Sequence, residues 1–140
     1  MYDFAYFQIA AKAIVQKGDK ILLLTTNNGH FDFPGGRMDK SEVDLSFDQV
    51  LKRELKEELG DNFKFNVGKL AFVSRRHYQK DDKDFRVLTI FFEVIYSGGT
   101  IQLSDEHSTS QWVKPESILK QAEKFISKDE YLNFKAYLAL

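Results

Sequence analysis

The chain has 140 residues and a formal net charge of −1, which suits one compact domain over 1–140 and excludes a global basic field for DNA or RNA, while a local basic patch stays open. It contains no Cys, so disulfides, thiolate metal sites and cysteine nucleophiles are excluded, as fits a reducing cytoplasm. Hydrophobic residues make up 43%, with 13 Phe and 6 Tyr, enough for an aromatic-rich core; no basic leader precedes an apolar run, and none approaches the roughly 18 residues of a membrane span, so neither signal peptide nor membrane partner is expected.

Ala10 to Val15 reads as a strand, Gly18-Asp19 as a turn and Lys20 to Thr25 as the hairpin partner. Asn27-Asn28-Gly29 is a second turn, and His30 to Phe33 is extended until Pro34-Gly35-Gly36 breaks it. Ser46, with Gln49 three residues on, has capping-box spacing. Phe47, Leu51, Leu55 and Leu59 then form a helical apolar stripe that Gly60 stops. Further strands are predicted at Phe63 to Val67, and at Leu70 to Tyr78 and Phe85 to Tyr96 around the polar turn Gln79 to Asp84. Ser97-Gly98-Gly99 reads as a turn, Thr100 to Leu103 as a short strand and Ser110 to Val113 as the last. Pro115 opens a helix to about Phe125, and Ser127 with Glu130 repeats the capping-box spacing ahead of a final helix. Strands and helices mix without strict alternation, which predicts an α/β (α+β) fold with a mixed sheet packed between helices.

The chemistry concentrates on the first long helix. Glu54, Glu57 and Glu58 stand at i, i+3 and i+4 and share a face, next to the face that Leu51, Leu55 and Leu59 hold in the core. Like charges so placed cost a few tenths of a kcal/mol per pair when exposed; a divalent cation reverses that sign, and oxygen ligands suit Mg²⁺ or Mn²⁺. Upstream, Phe33-Pro34-Gly35-Gly36 lets backbone approach a metal or phosphate closely. Taken alone, the charged helix face reads as an ordinary solvated surface with an Arg53–Glu57 pair, and the two glycines read as a plain turn.

Together they resemble the box of the Nudix hydrolase family: Gly36, five residues, Glu42, then Arg53-Glu54-Leu55-Lys56-Glu57-Glu58-Leu59-Gly60 position by position. Two departures stand out. Ten residues separate Glu42 from Arg53, three more than the pattern, and Asp61 occupies the last aliphatic position. With the helix starting just after Ser46, the extra residues fall around Val43, Asp44 and Leu45 and leave the helix register intact; the position of Glu42 is what they affect. Phe63 is a candidate to fill the packing role that Asp61 cannot.

The resemblance implies an α/β/α sandwich and metal-dependent hydrolysis of the diphosphate bond in a nucleoside diphosphate linked to another group, such as a nucleoside triphosphate, nucleotide sugar, ADP-ribose or dinucleoside polyphosphate. It assigns Glu54, Glu57 and Glu58 to the metal with the Gly36 carbonyl, places Arg53 behind the carboxylates as an orienting group, and makes Glu42 an accessory ligand through water. The general base stays open between Glu58 and Glu106, with His107 as a third candidate. Arg75, Arg76, His77 and Lys80 form a basic run whose side chains alternate faces in a strand, so about half of them meet the cleft. Phe31, Phe33 and Tyr78 are candidates to stack on a base, against a core-packing reading for each. Tyr131, Phe134, Tyr137 and Leu138 on the last helix read as packing or a homodimer contact. The competing functions are a non-catalytic nucleotide-binding module, which the retained carboxylates disfavour, and an RNA 5′-end pyrophosphohydrolase, which would need a basic track.

Overall fold

A computed structural model describes residues 1–140. Strands β1 (Gln8–Lys17), β2 (Lys20–Thr26), β3 (Phe31–Asp32) and β4 (Gly35–Arg37) precede helix α1 (Phe47–Leu59). Long strands β5 (Phe63–Lys80) and β6 (Lys83–Gly99) follow, then β7 (His107–Val113), a short helix α2 (Pro115–Ile118) that tightens into a 3₁₀ segment over Leu119–Lys124, and α3 (Lys128–Leu138). The strands form one mixed sheet in the order β3-β2-β1-β6-β5, with β4 on β1 and β7 on β2.

The predicted hairpin shares little beyond its turn. β1 pairs with β2 only at Gln16–Ile21 and Lys17–Lys20. β1 then runs parallel to β6 from Gln8–Val87 to Gln16–Ile95, while β2 takes β7. The strands therefore part toward the N-terminal end of β1, and β4 is admitted there, with Ala11 opposite Gly36.

Alternation along β1 splits the core in two. Ala11, Ala13 and Val15 face Val50, Leu51, Leu55 and Leu59 of α1. Ile14 faces the other way, into Phe33, Phe91, Phe125 and Phe134 beneath α3. The result is the α/β/α sandwich that the resemblance implied. No helix is long and apolar enough to cross a membrane.

Several local expectations need correction. Phe63 to Val67 and Leu70 to Tyr78 belong to one strand, interrupted in register between Val67 and Phe72. Ser97-Gly98-Gly99 stays within β6, paired to Phe63 and Lys64. The turn that reverses β5 narrows to Asp81-Asp82, both at positive φ. Thr100 to Leu103 forms no strand; the chain there serves the end of α1, the Gln102 N–H donating to the Leu59 carbonyl at 2.8 Å and the N–H of the following Ser104 to the Glu58 carbonyl at 3.2 Å. At Ser127 only half of the capping box forms. Its hydroxyl accepts from the Glu130 N–H, but the Glu130 carboxylate turns inward to Arg76.

Candidate active site

Helix α1 enters with its predicted box complete, Ser46 and Gln49 each accepting the other's backbone N–H. The register that buries Leu51, Leu55 and Leu59 turns Glu54, Glu57 and Glu58 into a cleft of about 650 Å³. The opposing loop is anchored by the Gln102 and Ser104 bonds to the end of α1, which brings Glu106 and His107 across from Glu58. Candidate ligand atoms of Glu58, Glu106 and His107 all lie within 4.8 Å of one another.

Gly36 brings backbone against the helix. A Cβ there would sit 2.5 Å from Glu54 Oε2. Since that atom ends a flexible side chain, Gly36→Ala is expected to leave the melting temperature nearly unchanged while displacing Glu54. Divalent-ion affinity should fall about tenfold or more, read by calorimetry beside a melting curve. Gly35 differs: its φ is +132° and a Cβ would meet the Ala11 carbonyl, so Gly35→Ala is expected to destabilise by more than about 2 kcal/mol. A Gly35→Ala protein with the parent melting temperature would contradict this.

The sequence reading missed the other wall. Lys12, buried in an otherwise apolar stretch of β1, donates to the Phe33 carbonyl at 2.9 Å and the Gly35 carbonyl at 3.3 Å, and pairs with Asp32 at 3.0 Å. Asp32 also meets Arg76 at 3.4 Å and His107 Nε2 at 3.0 Å. Arg76 in turn is held by Glu130, a wholly buried carboxylate of α3, at 2.7 Å. The chain of charges therefore runs from the cleft floor to the last helix. A lone Lys inside a strand and an Asp between two phenylalanines were the only sequence signals for it.

Burial and partners set the protonation states. Burial pushes the Glu58 carboxyl up to about 7, against the pull of Lys12 and the Gly35 N–H that donates to it. Burial also raises Glu54, with Arg53 opposing. Burial works against ionised Asp32, but Lys12, His107 and Arg76 together outweigh it and hold the acid well below the usual carboxylate range. Burial opposes the His107 imidazolium too, yet the bond to Asp32 and the charge of Glu58 leave it raised.

The remaining predicted residues divide. Arg53 sits behind the carboxylates, 2.8 Å from Glu54 and 3.1 Å from Glu57. It grips Glu42 with two bonds, Nε to Oε2 at 2.5 Å and Nη2 to Oε1 at 2.6 Å. Glu42 is buried on a single 3₁₀ turn, Lys40–Glu42, closed by a capping box with Asp39, and it is not among the cleft-lining residues. The extra residues that follow it, Val43 to Leu45, form a turn ahead of α1. Arg76 and Tyr78 line the cleft. Arg75 lies outside it, beside Asp129, and His77 pairs with Asp84, as alternation along β5 requires. Phe31 is buried edge-on to Phe125, in the core rather than the cleft.

The donor set suits a hard divalent cation. Carboxylate oxygens of Glu54, Glu57, Glu58 and Glu106 share one cleft with Gly36, and two of these acids, Glu54 and Glu58, are buried at a cost that a cation would offset. The sandwich thus sets these acids in one cleft with exposed Arg37, while Lys12 and Arg76 are matched by Asp32 and Glu130.

Comparison gives the fold its family name. The NUDIX domain profile matches residues 6–133, and the chain belongs to the Nudix family and is a hydrolase of that type. Its fold is similar to that of the MutT protein from Methanosarcina mazei Go1, at 26% identity and TM-score 0.73 over 95% of this chain and 94% of that one. The E. coli ORF135 protein is similar at 25% identity and TM-score 0.69, over 96% and 90%. An ADP-ribose pyrophosphatase from Streptococcus suis shares the fold at 24% identity and TM-score 0.59, over 78% and 75%. No curated protein sequence matches significantly. Members of the family generally need a divalent metal and act on small nucleotide substrates.

Proposed function

We propose that this protein uses Mg²⁺ or Mn²⁺ to hydrolyse the diphosphate bond of a nucleoside diphosphate linked to another group. The observation that carries this reading is one cleft lined by Glu54, Glu57 and Glu58 from α1, Glu106 from the facing loop and Lys12, Arg37 and Arg76 from the sheet. Glu54, Glu57, Glu58 and the Gly36 carbonyl would hold the cation. When bound, such an ion neutralises phosphate oxygens and lowers the pKa of water. Arg37, exposed and with its guanidinium bonded only to neutral Gln8, offers positive charge to the phosphates, while Arg76 is committed to Glu130 and Asp32. Arg53 keeps Glu54 and Glu57 aimed inward by fixing their carboxylates, and its own position is fixed by Glu42.

Proton removal falls to Glu58 or Glu106. Glu58 stands inside the acidic cluster, its candidate ligand atom within 4.8 Å of those of Glu106 and His107. Glu106 has the freer access, being exposed at the cleft mouth.

Incubation with a panel of nucleoside triphosphates, nucleotide sugars, ADP-ribose and dinucleoside polyphosphates, with Mg²⁺ or Mn²⁺, tests the reading by release of phosphate, pyrophosphate or nucleoside monophosphates. No turnover of any member would overturn it. Preferential cleavage of 5′-triphosphate RNA would move the substrate class to RNA ends. Glu57→Gln is expected to lower turnover by about a hundredfold or more with the fold intact, because Glu57 is exposed and its ion pair is with half-exposed Arg53. Circular dichroism and steady-state rates on one preparation check both halves.

A further inference from the structure

The first seven residues, Met-Tyr-Asp-Phe-Ala-Tyr-Phe, carry four aromatic rings and no regular structure. Tyr2, Phe4 and Tyr6 are 85%, 72% and 84% exposed, so the fold gains almost nothing from them, and contiguous apolar exposure of this kind marks an interaction segment rather than a core.

The arm begins at the rim of the cleft. Gln8, the first residue of β1, pairs with Val87 and accepts a bond from Arg37 Nη1 at 2.9 Å, and both Val87 and Arg37 line the cleft. Arg37 lies over the Phe85 ring at 5.9 Å. Tyr78, another lining residue, stacks on the same ring at 5.2 Å and 14°. An aromatic and cationic edge therefore already exists where the arm joins.

Two further observations give the arm an occupant. The cleft-lining residues of β1 are Ala10 and Lys12, and Tyr2, Phe4 and Tyr6 continue their even-numbered series, the spacing at which an extended chain presents one face; Tyr2 and Phe4 already stack at 5.7 Å. The cleft itself is polar, with only 3 hydrophobic residues among the 17 that line it. It is well equipped for a polyphosphate and poorly equipped for a planar heterocycle. Seven extended residues reach about 23 Å, enough to lie along that edge with the parity kept.

We propose that this aromatic arm is the stacking platform for the base of the nucleotide, clamping it against the Tyr78–Phe85 edge while the acids of α1 engage the diphosphate. This assignment rests on the nucleotide reading of the cleft. It makes Tyr2, Phe4 and Tyr6 specificity-determining residues and the substrate one that carries an aromatic base.

Calorimetry in Mg²⁺ tests it with two kinds of probe: α,β-methylene analogues of ADP, GDP, CDP and UDP, which cannot be hydrolysed at that bridge, and base-free methylenebisphosphonate. In the parent protein at least one nucleotide analogue should bind more tightly than the bisphosphonate. Tyr2→Ala/Phe4→Ala/Tyr6→Ala is expected to shrink that margin about tenfold or more, the range for loss of base–aromatic stacking, whereas Tyr2→Phe/Tyr6→Phe should keep it. A triple-Ala protein with the parental margin would overturn the arm's role while leaving the nucleotide reading intact. So would an unchanged margin with a new elution volume, which would make the arm a contact between copies. A parent protein that binds the bisphosphonate but no nucleotide analogue would overturn both.

Discussion

Glu58→Gln should cost about a hundredfold or more in turnover and yet make the metal-free protein more stable. The two effects share one cause. Burial pushes the folded-state pKa of Glu58 up to about 7, whereas a carboxyl in an unfolded chain titrates near about 4.3. Between those values the folded protein keeps a proton that the unfolded chain has released. Stability therefore falls as pH rises from about 4.3 to about 7 and stays reduced above it. At about 1.4 kcal/mol per pKa unit, the rise to about 7 costs about 3–4 kcal/mol at pH 8. Gln is neutral, nearly isosteric and able to accept the Gly35 N–H through its amide oxygen. In chelator at pH 8 the variant should melt several degrees above the parent, by about 2–4 °C per kcal/mol for a domain of this size. The gap should close toward pH 4. Equal melting temperatures at both pH values would show that the carboxylate is not penalised by its surroundings, and retained turnover would remove Glu58 from the chemistry.

Local spacing explains why half of this site was legible in the sequence. Ser46, Gln49 and Gly60 bracket one helix, and within a helix i, i+3 and i+4 fix which side chains share a face. The register of Glu54, Glu57 and Glu58 thus followed from thirteen contiguous residues. The opposite wall is assembled from Lys12, Asp32, Arg76, His107 and Glu130, which meet only because β1 leaves β2 after two pairs and runs alongside β6. Nothing local encodes that exchange of partners. Glu130 shows the difficulty well: its spacing from Ser127 suited a capping box, yet the guanidinium of Arg76, 54 residues away, claims its carboxylate. Thr100 to Leu103 misleads in the same way. Its composition suits a strand, but α1 ends beside it with carbonyls to satisfy, and two of its neighbourhood's N–H groups go there instead. Phe31 and Arg75 were reasonable candidates by type, and the parity of their strands takes one into the core and the other to Asp129.

Lys12→Met is expected to be among the most damaging substitutions at this site, destabilising by about 3–5 kcal/mol, the range for removing one partner of a buried ion pair. Met fills the same volume, so the loss reports charge and hydrogen bonding rather than a cavity. Asp32 would lose the lysine that pairs with it at 3.0 Å, and the Phe33 and Gly35 carbonyls would lose their donor. Because that donor ties the loop carrying Gly36 to β1, turnover should also fall by about ten- to a hundredfold in whatever fraction stays folded. Asp32→Asn in the Lys12→Met background removes the stranded charge and should return part of the stability, a coupling that a double-mutant cycle measures directly. The pH dependence gives an independent check. Asp32 is held below the usual carboxylate range in the folded protein, so its stabilisation is complete above its unfolded pKa of about 3.9 and is lost as pH falls from there toward the depressed folded value. The parent protein should therefore lose stability steeply below about pH 4, and the double variant should show a shallower slope over the same interval. Parallel slopes, or a Lys12→Met protein as stable as the parent, would mean that the Lys12–Asp32 pair contributes nothing to the floor of the cleft.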